Sequence, residues 1–418
     1  MNISTLTEPF VLLLKQNKLI VKRETEDKYK LIMLSLFKDL LEAEKYIKTC
    51  PITTVEYDNK EQNKEPAKPL TNNSRFFPKA IRKYIQETPY SLTKYNCQIK
   101  GRENNVYFYM FEKNSSVDIK HQVKLVFIWL YICIKYAEQK CAQELNIHIY
   151  LTPFKKTLPD KNTTIISAEH VNTAFTYSCL PAGDITIFRE EEWFKVFLHE
   201  TFHAYNLDFG LSPDSTVLRR IVESVFHIKS DFNINEAYTE TWARIINCVF
   251  YSFASLNEKE KNLAKAETFL IYADFCLQVE RLFSLFQMKK ILNFMGLNYA
   301  DISSSDAYLK HHLYKEDTHV FGYYILTGLF LNDYKAFMQW CLVNNSANGN
   351  GVANGNGINI MKFNCQKESF QKMGLYIQRI YTEPNLLSTI ALLKKMPIKS
   401  KPNLLLTSRM TIIDLAEV

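Results

Sequence analysis

The sequence predicts an α+β protein in which a small, mostly antiparallel sheet precedes a largely helical C-terminal half. Short runs rich in aromatic and β-branched residues, which are typical of strands, fall between residues 106 and 188. Apolar residues at helical spacing dominate much of the remaining chain, and residues 258–296 form a long helical stretch without a strand pattern. The 418 residues are 47% hydrophobic, which is ample for a sizeable core.

The two ends of the chain differ from its middle in composition. Residues 1–50 are predicted to form an N-terminal helical segment, because most of them show an amphipathic pattern. Residues 51–75 are rich in Lys, Asn, Glu and Pro and are predicted to form a polar linker with a composition typical of disorder. Residues 344–359, NNSANGNGVANGNGIN, are predicted to be a flexible surface loop. Residues 360–418 are predicted to supply a helix and a tail that docks on the main domain, either as a strand or as a docking segment.

Charge, apolar runs and cysteine content argue against several classes of function. The net charge is 51 − 44 = +7 without a long basic run, which indicates a solvated surface rather than a nucleic-acid-binding one. The longest apolar run, residues 125–134, is too short to cross a membrane, and the first residues do not resemble a secretory signal. The nine cysteines are an odd number and form no C-x-x-C pair. We therefore expect reduced thiols and a cytoplasmic protein that binds no nucleic acid and does not span a membrane.

Two strand-like runs lead directly into the stretch on which the function depends. Residues 170–179 and 184–188 are predicted to be strands joined by a turn at residues 181–183. The second run continues into residues 190–210, EEEWFKVFLHETFHAYNLDFG, where apolar residues cover most of a helix and leave one narrow polar stripe. Such a helix is expected to be buried, with its polar stripe facing a cleft.

This helix contains an H-E-x-x-H motif, His199-Glu200-Thr201-Phe202-His203. Residues four apart lie on the same face of a helix, so His199 and His203 are predicted to bind one metal ion. Glu200 is offset by one residue, where it can reach a water on the metal without being a ligand. It is therefore our candidate for the general base of a metal-assisted hydrolysis. The alternative is that the two histidines are hydrogen-bonded core residues.

A zinc site for hydrolysis needs a third protein ligand and an open fourth position. Glu236 and Glu240 lie four apart on a helix predicted from about residue 235 to residue 253. Two carboxylates on a helix face beside a buried neighbour are unfavourable unless they are paired or bound to a metal. One of them can bind the metal while the other accepts the N–H of a liganding histidine. His227 and Asp231 are further candidates for the third ligand.

The motif HETFH followed by a helix that carries NEAYTE resembles the gluzincin branch of the zincin metallopeptidases, of which thermolysin is the familiar example. The resemblance implies a zincin-like catalytic domain over residues 76–343. It also implies one Zn²⁺ held by His199, His203 and Glu236, with Glu240 as the carboxylate beside a liganding histidine. The family most often has Asp at that last position. The separation of the second histidine and the third ligand, 236 − 203 = 33, is longer than in thermolysin-like enzymes, and the extra length can form an inserted helix.

The segment just before the motif resembles the Asn-Ala-aromatic edge strand of thermolysin-like enzymes. In zincins this antiparallel strand runs above the metal and binds the substrate backbone as a further strand. The resemblance therefore implies substrate-binding roles for Asn172, Ala174 and Phe175. The alternative is an ordinary strand with no role in binding.

Zinc peptidases also use a Tyr or His donor where charge develops on the substrate carbonyl. His319, Tyr323 and Tyr324 are our candidates, because they precede a helix in the C-terminal half, where gluzincins often place such a donor. In a chain with 24 tyrosines, simple packing is the alternative for each.

Together these patterns predict a zinc-dependent peptidase that acts on a peptide or protein substrate. The alternative hypothesis is a catalytically inactive zincin-fold protein with a structural or binding role, for example a virion component. The Lys-, Asn- and Ile-rich composition and the Asn/Gly-rich loop are similar to zincin-like proteins of large DNA viruses, which would place the chain in a virion or in the cytoplasm of an infected cell. A purely structural zinc site needs four protein ligands, and no cysteine pair is placed to provide them.

Overall fold

The computed structural model describes residues 6–17, 26–57, 76–111, 118–345, 360–394, 396 and 402–415. The strands are β1 (Thr53–Tyr57), β2 (Ser91–Ile99), β3 (Arg102–Met110), β4 (Glu144–Leu151), β5 (Ile166–Ser167), β6 (Ala174–Thr176), β7 (Ala182–Ile187) and β8 (Glu316–Asp317). The helices are α1 (Glu8–Asn17), α2 (Glu26–Ile47), α3 (Lys79–Glu87), α4 (Ile119–Tyr136), α5 (Ala168–Val171), α6 (Trp193–Ala204), α7 (Ser215–Phe226), α8 (Ile234–Ala254), α9 (Glu267–Phe294), α10 (Tyr299–Ser303), α11 (Tyr308–Leu313), α12 (Thr327–Asn332), α13 (Tyr334–Asn345), α14 (Lys367–Ile380), α15 (Pro384–Leu393) and α16 (Pro402–Leu406). A 3₁₀ turn (Leu263–Lys265) precedes α9, and a π-helical segment (Phe321–Leu326) precedes α12.

A six-stranded sheet in the order β1-β2-β3-β4-β7-β6 supports the site. Its β1–β2, β2–β3 and β7–β6 pairs are antiparallel, whereas β3–β4 and β4–β7 are parallel. The first parallel pair arises because α4 carries the chain back between β3 and β4, which a tight hairpin cannot do. The α+β prediction is confirmed, and the sheet is mixed, with three antiparallel and two parallel pairs. A separate pair joins β5 to β8.

The N-terminal helices α1 and α2 are present as predicted, and both contribute to the main core. Phe10 of α1 is fully buried and packs edge-on against Phe283 of α9, with ring centroids 5.6 Å apart. Phe37 of α2 stacks on Phe269 of α9 with centroids 4.4 Å apart. These contacts bury the apolar face of each helix, which stabilises helices that would be marginal alone.

Part of the predicted polar linker is a strand. β1 lies at the edge of the sheet, where Thr53 pairs with Asn96 of β2. Its side chains are mostly exposed, so the composition is polar although the backbone is paired, and its β-branched residues favour an extended chain. Residues 58–75 lie outside the described residues, as do residues 346–359 of the predicted Asn/Gly-rich loop.

The C-terminal residues dock on the rest of the protein. Residues 408–415, which we call the C-terminal segment, are buried apart from the partly exposed Asp414. The Gln122 side chain of α4 donates to the Leu415 carbonyl at 3.1 Å, and the Asn247 side chain of α8 donates to the Ile413 carbonyl at 2.8 Å. The tail is therefore a docking segment and not a strand, which was the other predicted form.

Two of the nine cysteines form a disulfide, so the expectation of reduced thiols throughout is wrong. Cys141, in the loop before β4, is bonded to Cys179, in the turn between β6 and β7. The partners are 38 residues apart and are brought together by the pairing of β4 with β7, which sequence spacing does not show. The remaining seven cysteines are free.

None of the described helices is long and apolar enough to cross a membrane. The longest apolar run lies in α4, where Phe127 and Trp129 are fully buried. That run therefore belongs to the core, as its length predicts.

Candidate metal centre

The H-E-x-x-H motif lies on α6, and every residue of this helix is buried. The helix packs against β6 and β7 on one side and against α8 on another. The indole N–H of Trp129 donates to the Thr201 hydroxyl at 2.7 Å, which fixes the helix to α4. The helix is thus buried as predicted, and Lys195 and His199 on its polar side contact α8.

The side chains of His199, His203 and Glu236 converge on one point between α6 and α8. Nε2 of His199 lies 3.1 Å from Oε2 of Glu236 and 3.2 Å from Nε2 of His203, and Nε2 of His203 lies 3.6 Å from the same Glu236 oxygen. A tetrahedral zinc ion bound at about 2.0–2.1 Å separates its N and O ligands by roughly 3.3 Å. The three atoms therefore have the spacing of three corners of a zinc tetrahedron.

Hydrogen bonds on the far side of each imidazole set the tautomers. Nδ1 of His199 lies 3.0 Å from Oε2 of Glu240, and Nδ1 of His203 lies 2.8 Å from Oδ2 of Asp208. Because an ionised carboxylate can only accept, each histidine donates its Nδ1–H and keeps a lone pair on Nε2. In the neutral imidazoles, two nitrogen lone pairs and a carboxylate oxygen then face one another, an arrangement that could hold a metal ion.

The charges around this point also fit a dication. Glu200, Glu236, Glu240 and Asp208 are buried carboxylates, and Lys195 is a buried ammonium group that is paired with Glu240. With the histidines neutral, these five side chains sum to 1 − 4 = −3. Burying an uncompensated charge costs several kcal/mol per ion. The residues present therefore fit Zn²⁺, and the inferred tautomers suit imidazoles acting as ligands.

The pKa values of both imidazoles are raised, so the site favours positive charge. Burial lowers the pKa of His199, but its hydrogen bonds to Glu236 and Glu240 outweigh that effect and raise it. Burial likewise opposes protonation of His203, yet Glu236 and Asp208 raise its pKa well above the usual range. The cluster thus takes up positive charge, either as protons or as a metal ion.

Glu200 lies beside this cluster without joining it. It is 7% exposed and, with His199, Ala174 and Tyr323, lines a cavity of about 30 Å³. A cavity of this size has room for a water molecule. Burial raises the pKa of Glu200, the two histidines oppose that shift, and Glu236 adds to it. A carboxylate with a raised pKa next to a water-sized space has the properties of a proton acceptor that can also return a proton.

Tyr323 lies in the π-helical segment and lines the cavity. A Cβ on Gly322 would lie 2.8 Å from the Asn233 carbonyl oxygen and 3.3 Å from Cβ of Glu236, so only glycine lets this segment lie against the start of α8. The Tyr323 ring lies 5.9 Å from the His199 ring. Burial, followed by the charges of Glu236 and Glu200, raises the pKa of Tyr323 well above its usual range. Its hydroxyl is therefore a protonated donor beside the cluster.

The other two candidate donors are placed differently. The Tyr324 hydroxyl donates to the carbonyl of Ser408 in the C-terminal segment, so its position contradicts a role at the cluster. His319 lies behind Tyr323, with 6.1 Å between their rings, and its Nε2 is 3.4 Å from the side-chain nitrogen of Asn233. Adjacent residues on a helix point in different directions, which separates Tyr323 from Tyr324.

The predicted strand over residues 170–179 is only partly present, because residues 168–171 form α5 and only Ala174–Thr176 is a strand. Its three candidate residues face different ways. β6 is the last strand of the sheet and pairs with β7, with Ala174 opposite Ile187. Ala174 lines the cavity. Phe175 points to the other face and packs on Phe77 at 5.6 Å, which contradicts a place for its ring at the metal side. The Asn172 side chain also lines the cavity, and it accepts a hydrogen bond from the Thr318 hydroxyl at 3.0 Å.

The rival third ligands lie on the surface, away from the buried cluster. His227 is exposed and ends α7 in the left-handed conformation, with φ +49°. Asp231 is exposed and accepts a hydrogen bond from Arg219 at 2.7 Å. The additional helix predicted between the two motifs is α7. Glu240 bonds Nδ1 of His199, which points away from the cluster. Glu236 is the carboxylate that lies near Nε2 of both imidazoles.

Sequence reasoning missed two residues of the centre. Asp208 follows α6 in the loop NLDFG, and an acid soon after a metal-binding helix is a signal that could have been used. Lys195 lies on the polar side of α6, and its partner Glu240 comes from α8, so the pair depends on how the two helices pack.

No family model, curated protein or solved structure matches the chain. The resemblance to gluzincins therefore rests on the motif residues alone.

Proposed function

We propose that the chain is a zinc-dependent peptidase in which His199, His203 and Glu236 hold one Zn²⁺. The observation that supports this best is the spacing of the three ligand atoms, together with the carboxylate bound to the outer nitrogen of each imidazole. Such carboxylate–histidine pairs are typical of metal sites, because they fix the ring orientation and the tautomer.

Bound zinc would polarise a scissile carbonyl and make a water more acidic. Glu200 is placed to accept a proton from a water in the cavity and to pass it to the leaving amine. Tyr323 can donate a hydrogen bond to the carbonyl oxygen as negative charge develops there. The two roles differ: Glu200 accepts a proton, whereas Tyr323 stays protonated and donates a hydrogen bond.

The substrate backbone can be bound by β6. This strand is at the edge of the sheet, so a peptide can add beside it by main-chain hydrogen bonds. Ala174 has a small side chain on the metal side, which allows a peptide to approach the cavity. Proposed substrates are therefore extended polypeptide segments rather than folded domains.

Replacing Glu200 by Gln tests the proposal, because it removes the proton acceptor and keeps the shape. We expect the purified wild-type chain to bind one zinc and to cleave a fluorescein-labelled unfolded protein. E200Q should bind zinc equally and cleave about 10²- to 10⁴-fold more slowly. A wild-type chain that binds no zinc, or an E200Q variant as active as the wild type, would contradict the proposal.

The enclosure of the site favours a second candidate, a zincin-like protein with a structural or binding role. The cavity beside Glu200 holds about 30 Å³, and His203 and Glu236 are each only 9% exposed. In this alternative no peptide is cleaved even when zinc is present at one ion per chain. A screen of the zinc-loaded chain with a mixed peptide library distinguishes the two.

A further inference from the structure

We infer that Lys195 positions the proposed metal site by clamping the Glu240 carboxylate against His199. The inference rests on the proposed function only in taking His199 as a zinc ligand. Lys195 touches neither the ligand atoms nor the reacting groups, so its role is that of a positioning residue.

Three hydrogen bonds fix the Glu240 carboxylate. The Lys195 ammonium donates to Oε1 at 2.9 Å and to Oε2 at 3.0 Å. Oε2 also accepts the Nδ1–H of His199 at 3.0 Å. The same oxygen thus bonds both partners, and any rotation of the carboxylate that breaks one contact disturbs the other.

The two donors come from one helix and the acceptor comes from its neighbour. Lys195 and His199 are four residues apart on α6, so the ammonium and the imidazole lie on the same face. Glu240 projects from α8 between them. The clamp therefore sets how α6 docks on α8, and Glu236, one turn before Glu240 on α8, is brought to the His199 Nε2 by the same docking.

Burial makes the ammonium necessary. Glu240 is fully buried and Lys195 is 2% exposed, so both partners lie away from bulk solvent. A lone buried carboxylate is strongly unfavourable, whereas a hydrogen-bonded ion pair is tolerated. Without Lys195, Glu240 would have to move or change its partner, and the His199 ring would lose its support.

The C-terminal segment closes the remaining side of the ammonium. The Met410 sulfur lies 3.6 Å from Lys195 Nζ and is a weak acceptor, so Glu240 is the dominant partner. The backbone N–H of Thr411 donates to Glu192 at the start of the same helix. The C-terminal segment therefore packs against the helix that carries Lys195.

The two imidazoles are supported differently. The Asp208 carboxylate beside His203 accepts a hydrogen bond from the Asn235 amide at 3.3 Å, which is a neutral donor. Glu240 beside His199 has a full positive charge as its donor. A change at Lys195 should therefore weaken metal binding through His199 in particular.

Zinc affinity of the full chain, measured by competition with a chromophoric chelator, tests the inference. K195M removes the charge and keeps most of the volume. We expect its zinc affinity to fall about 10- to 100-fold, as for other residues that support a liganding histidine. K335M is the matched control, because Lys335 is also buried and lies 3.2 Å from Asp274, at a site away from the cluster. It should lose stability and keep its zinc affinity within about twofold.

A double-variant cycle separates positioning from simple destabilisation. E240Q should lose about as much affinity as K195M, and K195M/E240Q should lose no more than either alone, because the pair acts as a unit. The double variant leaves no unpaired buried carboxylate. Where K195M does not fold, the double variant is compared with E240Q alone, and the two should have the same zinc affinity. Additive losses in the double variant would overturn the inference.

Failure of the inference and failure of the proposed function give different results. A wild-type chain that binds no zinc overturns the proposed function, and the inference falls with it. A wild-type chain that binds zinc, together with a folded K195M variant that binds it within twofold, overturns the inference alone. The cobalt-substituted chain gives a second readout, since a displaced His199 changes the visible absorption of Co²⁺ in K195M and leaves it unchanged in K335M.

Discussion

Oδ2 of Asp208 lies 2.8 Å from Nδ1 of His203, and both side chains are buried. The acid is five residues beyond the histidine, in the loop that follows α6. This contact orients the imidazole so that Nε2 points at Glu236. The end of the motif helix and its following loop are therefore one structural unit of the proposed metal site.

Replacing Asp208 by Asn should weaken zinc binding by about 10- to 100-fold, because the charge that supports the His203 N–H is lost. The measurement is zinc affinity by chelator competition. D214N is the control, since Asp214 is an exposed acid at the start of α7 and makes no side-chain capping bond there. Equal affinities of D208N and the wild type would show that Asp208 does not support the site.

Removing the Tyr323 hydroxyl should slow cleavage while the metal stays bound. For Y323F we expect kcat/KM to fall about 10²- to 10³-fold, as for the loss of one donor to a developing oxyanion. Y324F removes the neighbouring hydroxyl, which bonds the Ser408 carbonyl. It should cost about 1 kcal/mol of stability and leave kcat unchanged. The reverse pattern would assign the donor to Tyr324.

Adding one methyl group at Gly322 should disturb Tyr323 without touching it. The new Cβ would meet the backbone oxygen of Asn233 at 2.8 Å, so the π-helical segment must shift away from α8. For G322A we expect a loss of about 1–3 kcal/mol and a lower kcat. G328A is the control, because a Cβ there meets the flexible Met288 side chain at 3.2 Å. Thermal unfolding and kinetics of both variants provide the comparison, and equal behaviour would contradict the account of Gly322.

Glu316 should make stability depend on pH near neutrality. Burial raises its pKa to about 7, although hydrogen bonds from the Ser230 hydroxyl and the Phe321 N–H oppose the shift. The pKa in the unfolded chain is about 4.3, so between these values the folded protein binds more protons than the unfolded chain. The stabilising contribution is therefore complete below about pH 4 and is lost as the pH rises through about 7. The difference in Tm between the wild type and E316Q should shift in that direction between pH 4 and pH 8, and a constant difference would contradict it.

Local spacing explains which parts of the site could be predicted from the sequence. His199 and His203 share a helix face because they are four apart, and the same rule places Glu236 and Glu240 on one face of α8. The strand before α6 is likewise a local pattern of β-branched and aromatic residues. These predictions depend on local spacing and not on contacts between helices and strands.

The remaining features depend on contacts between distant segments. The parallel pairs of the sheet, the Cys141–Cys179 disulfide and the burial of the C-terminal segment all arise from such contacts. The choice between Tyr323 and Tyr324 depends on how a π-helical segment turns against α8, which tyrosine content alone does not determine. Lys195 falls in the same class, because its partner lies 45 residues away on another helix.

The central claim is that two imidazoles and one carboxylate from α6 and α8 hold a single zinc ion. X-ray absorption at the zinc edge of the purified full chain tests it most directly. We expect one zinc per chain with only N and O ligands at about 2.0–2.1 Å, two of them imidazoles, and loss of that zinc in E236A. A chain that binds no zinc, or a zinc with sulfur ligands at about 2.3 Å, would contradict the account.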